Sequence, residues 1–79
     1  MPMIQIEQDN PKVIERVRQK IADLAQEHKQ YPTRDIHSSV MFVVGYTGAL
    51  LMEDIISSEM HIQLARERDE ALAQAAVQG

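Results

Sequence analysis

From Ile36 to Met52 the chain runs seventeen residues without Asp, Glu, Lys or Arg, within a sequence of 79 residues. Its last thirteen residues, VMFVVGYTGALLM, hold two glycines and no charge. A stretch this apolar must cross a membrane, form a buried strand, or be a core helix. The choice limits everything else the chain can build.

The membrane reading needs roughly 17–25 predominantly apolar residues. Here His37, Ser38, Ser39 and Thr47 dilute the run, and Arg34, Asp35, Glu53 and Asp54 flank it without a cationic bias to either side. A membrane is therefore disfavoured. Strand is a rival for SSVMFVV, because Val and Phe suit sheets. However, Ile36, Val40, Val43, Val44, Thr47, Leu50 and Leu51 recur at steps of three and four well beyond strand length. The opposite side carries Met41, Phe42, Tyr46, Ala49 and Met52, so the expected helix is apolar nearly all round and wants cover on most sides.

The neighbours of this stretch are amphipathic helices. DNPKVIERVRQKIADLAQEHKQYP opens with Asp9 or Asn10 as a cap and Pro11 in the first helical position. Val13, Ile14, Val17, Ile21, Leu24 and Ala25 form its apolar stripe, and Pro32 stops it near Gln30. Thr33 or Asp35 is placed to cap the central helix. Beyond it, a break at residues 54–56 leads to a last helix capped by Ser57 or Ser58, with Met60, Leu64, Ala71 and Leu72 as a shallow apolar face and Arg66 one turn from Glu70. A single helix from about 35 to 76 is the alternative. The expected architecture is all-α: a small bundle of two to three helices, comprising an extended arm at 1–9 and helices at 10–30, 34–53 and 57–77.

Such a short chain has little core of its own, and without cysteine it has no disulfide to compensate. Association is the remaining way to add core. The central helix offers more apolar surface than two modest neighbours cover, and a symmetric dimer is the commonest way to bury a surplus patch. The expected interface seam is Val40, Val44, Gly48 and Leu51, with Val17, Ile21 and Leu24 in the core. Gly45, Gly48 and Ala49 would let a second helix approach closely, and Gly48→Leu is expected to disrupt assembly by a steric clash. The lack of cysteine fits a cytoplasmic protein. MPMIQIEQDN has no basic region ahead of an apolar run and does not read as a signal peptide.

Catalytic patterns are weak. His28, His37 and His61 are far apart, and no HExxH, GxSxG or Walker loop is present. His37 beside Ser38 and Ser39 reads better as the start of a helix than as a base with its nucleophile. Glu53, Asp54, Glu59 and His61 straddle a turn where acids are simply solvated, so no metal or other cofactor is expected. Lys12, Arg16 and Lys20 recur every fourth residue and make a candidate contact for an anion or an acidic partner. With a net charge of −4, nucleic acid is a poor fit.

Two resemblances add expectations. MIQIEQ followed by two helices resembles the order of ribbon–helix–helix repressors over residues 3 to 52. That implies a paired strand reading DNA with Gln5, although Glu7 beside it would repel the backbone. LLMEDIISSEMHIQL resembles the turn and helix of many small phage and prophage accessory proteins, with Asp54 where such turns often use glycine. It implies an accessory or host-interaction role without catalysis. The expected function is thus a non-enzymatic, homo-oligomeric module, a dimer foremost, that binds a heterologous protein as an inhibitor or adaptor. The alternatives are a ribbon–helix–helix regulator and an oligomer sequestering a small ligand between chains.

Overall fold

The computed structural model describes residues 7–78 and contains three helices: α1 (Pro11–Gln30), α2 (His37–Met52) and α3 (Ser58–Gln78). The fold is all-α, and the described residues include no strand. The arm expected at 1–9, and the ribbon that would need it, lie almost wholly outside the described residues.

Each helix begins and ends for a local reason. Asn10 caps α1: its side chain accepts from the Lys12 amide at 2.9 Å, and Pro11 follows in the first turn. α2 starts three residues later than the expected 34. Arg34 N–H donates to the Tyr31 carbonyl in a turn, and the Asp35 carboxylate then takes the His37 amide at 2.9 Å. α2 ends at Met52 because Asp54 enters the left-handed region at φ 57°. The Asp54 and Ile55 amides fold back onto the Leu51 and Leu50 carbonyls at 3.0 and 2.9 Å. This return closes the helix C-terminus in the way glycine usually does. The break at 54–56 is therefore real, and the single helix from 35 to 76 does not form.

The helices run up, down and up. α1 and α3 are parallel: Asp9 bonds Ser57, Arg18 bonds Glu67, and the Ala22–Gln26 stretch lies beside Ala71 and Ala75, all about 48–49 residues apart. α2 returns antiparallel to α1, with Lys20 over the ring of Tyr46 and Leu24 near Val43. α1 packs far more extensively on α3 than α2 packs on either.

The core is Ile14, Val17, Ile21 and Leu24 from α1, Val43 from α2, Ile56 from the turn and Leu64 from α3. Val17, Ile56 and Leu64 are fully buried, each contributing about 1.5–3 kcal/mol relative to exposure. Thr47 is the buried polar residue on α2. Its hydroxyl lies 3.0 Å from the Val43 carbonyl and 3.1 Å from that of Val44, so it is satisfied within its own helix.

Candidate functional site: the outer face of the central helix

α2 is apolar on every side but is covered on only one. Val43 and Thr47 point into the bundle, with Leu50 packed beside them. Directly opposite, Met41, Phe42, Gly45, Ala49 and Met52 are exposed, with Phe42 at 66 % and Met52 at 84 % of their full accessibility. At 100° per residue these five fall within one stripe about 100° wide. Isolated apolar side chains on a surface need no explanation, but a continuous stripe along an uncharged helix does.

The expected seam takes an intermediate position. Val40, Val44, Gly48 and Leu51 are all half-buried, and Val40 and Leu51 already pack against the core of their own chain. They flank the exposed stripe rather than forming its crest. An added Cβ would meet nothing within 4 Å at Gly45 or at Gly48. Neither glycine is demanded by packing within the chain, so the clash expected of Gly48→Leu has to come from a partner.

The remaining candidates are scattered or already engaged. The basic stripe is divided: Lys12 and Arg16 are exposed on α1, beside Glu15 and Gln19, whereas the Lys20 ammonium sits 4.9 Å from the Tyr46 ring centroid. His37 and Ser38 are exposed, and Ser39 is half-buried at the lip of an open groove of about 440 Å³ between α1 and α2. The structure does not bring Glu53, Asp54, Glu59 and His61 together. Among the described residues no group of three or more His, Cys, Asp or Glu side chains converges on a metal position. The Arg66–Glu70 pair expected along α3 is not formed. Arg18 instead bonds Glu67 across the helices through two parallel contacts of 2.9 Å. The hydrogen bond from Arg18 holds the Glu67 carboxyl below its ordinary value. Glu67 in turn raises Arg18. No described helix is long and apolar enough to cross a membrane.

One functional-looking contact was not visible from local sequence. Asp9, at φ 59°, accepts from both the backbone amide and the hydroxyl of Ser57, each at 2.7 Å. Ser57 then caps α3 by accepting from the Met60 amide at 3.1 Å. The same strained residue donates its own amide to the Ile55 carbonyl at 2.9 Å. This is a clasp joining the beginnings of α1 and α3, and its role is structural.

Comparison with family models, curated proteins and solved structures returned no match to the chain.

Proposed function

We propose that this chain is a non-enzymatic interaction module that works as a homodimer, burying the outer faces of two α2 helices against each other. The observation that carries the reading is the exposed Met41–Phe42–Met52 stripe on a helix with no charge between its ends. Its surroundings favour a copy of the same chain. The stripe is uncharged and apolar, so a second identical stripe matches it chemically. Pairing through α2 leaves the outward sides of α1 and α3 available, where exposed Lys12 and Arg16 suit an acidic surface on a heterologous protein. An inhibitor or adaptor of the kind implied by the resemblance of residues 50–64 to phage accessory proteins belongs to this class.

The test is light scattering after size exclusion, over a dilution series, on the wild type and on Phe42→Glu. Position 42 is outside the core, so the variant keeps its helical circular dichroism. The expected result is a dimer for the wild type and a monomer for the variant, because a carboxylate buried without a partner is strongly unfavourable. A wild type that remains monomeric at every concentration, or a variant of unchanged mass, overturns the reading.

A further inference from the structure

Resting on that dimer, we infer that the two α2 helices cross antiparallel, with the twofold axis crossing the exposed stripe midway between Gly45 and Ala49, at the level of position 47. The exposed face contains a palindrome. Phe42, Gly45, Ala49 and Met52 follow one another at spacings of three, four and three residues. They read large, small, small, large. A twofold axis at position 47 sets Gly45 against the partner's Ala49 and Phe42 against the partner's Met52. The small residues let the helices approach at the crossing, and the large ones close over each end. A sulfur–aromatic contact then forms twice, once at either end. A parallel pairing would set Phe42 on Phe42 and glycine on glycine without this interlock.

Charge selects the same orientation. Glu53 and Asp54 directly follow α2, and both are exposed. A parallel pair would gather four carboxylates at one end. With the axis at position 47, the antiparallel pair separates each Glu53 from its copy by about 18 Å along the helices and lays each acidic turn level with positions 40 and 41 of the partner, at the first turn of its α2. That is the positive end of the helix dipole, with Arg34 just before it. The patch lies at the small end of the range for specific interfaces. Phe42 alone exposes on the order of 130 Å², and with Met41, Met52 and the half-buried flanks of the stripe the two copies approach the roughly 1,000 Å² at which a specific interface begins.

The chain has no cysteine, so disulfide trapping starts from a clean background. Gly45→Cys and Ala49→Cys are prepared separately, mixed in equal amounts under reducing conditions, then oxidised and resolved on a non-reducing gel. In the antiparallel dimer the two positions face each other, within the span of about 4.4–6.8 Å between Cα atoms that a disulfide bridges. Two copies of position 45 are offset by about 6 Å along the axis, and the gap between the helices adds to this, so their Cα atoms are about 7 Å or more apart and lie beyond that span. The expected result is a covalent dimer in the mixture and at most a trace in either variant alone. Light scattering on the reduced variants establishes whether each one still dimerises. Dimers that crosslink within Gly45→Cys alone, or that do not crosslink at all, overturn the antiparallel arrangement and leave self-association standing. Monomeric wild type overturns both.

Discussion

Two aspartates in the left-handed region do different work, and their substitutions diverge. Asp54 uses that conformation only to turn the chain at the end of α2, where a side chain is a steric burden. Asp54→Gly is therefore expected to stabilise the protein by about 0.5–1 kcal/mol. Asp9 has nearly the same φ, but its carboxylate holds both the amide and the hydroxyl of Ser57. Asp9→Gly relieves the same strain yet leaves a part-buried amide unpaired, with an expected net loss of about 1–2 kcal/mol. Thermal melts at one fixed protein concentration check both, with shifts of a few degrees in opposite directions. Only half of this contrast was legible in the sequence. An aspartate where a turn wants glycine can be read from its immediate neighbours. The bond from Asp9 to Ser57 spans 48 residues, and nothing near Asp9 announces it.

At the level of helices, α1 was the most legible: Asn10, Pro11, the stripe from Ile14 to Leu24 and Pro32 each act through local chemistry, and together they set its limits. α2 was legible as a helix but not in its direction. A helix apolar all round carries no signal of which side faces inward. That side was decided by where α1 and α3 lie, and it turned out to be the line of Val43 and Thr47. Val40, Val44, Gly48 and Leu51 were left on its flank. The α1–α3 pair makes a separate prediction. Glu67 has a depressed pKa because of Arg18, so its stabilising effect is complete above the ordinary value of 4.5 and is lost as pH falls through the lower, folded-state value. Both side chains are partly exposed, which limits the pair to at most about 1 kcal/mol despite its two-pronged geometry. Urea midpoints from neutral pH to about pH 3 should therefore show Glu67→Gln below wild type at neutrality, with the gap closing in acid. A gap that persists unchanged below the folded pKa would mean that the glutamine fails for a reason other than charge.

For the whole molecule, periodicity and length showed the surplus of apolar surface and favoured a break after α2, but they left the count at two to three helices. The up–down–up course with α1 parallel to α3 was not, because it rests on contacts some 48 residues apart. If the surplus is covered by a second copy, folding and association are linked, and the melting temperature rises with protein concentration. The wild type is expected to gain a few degrees over a hundredfold increase in concentration, whereas Phe42→Glu stays constant. Scanning calorimetry at three concentrations makes the comparison.

The clasp and the Arg18–Glu67 pair also bear on how the chain reaches this state. Both join positions 48 or 49 residues apart, across a loop that contains all of α2. Closing a loop of that length takes about 3.4 kcal/mol of chain entropy before its contacts return anything. The first two helices share too little surface to hold each other beforehand. α1 therefore waits for α3, and α2 is carried into place as the strap between them. The chain is expected to become ordered in one concerted step, and more slowly than a bundle whose successive helices pair as neighbours.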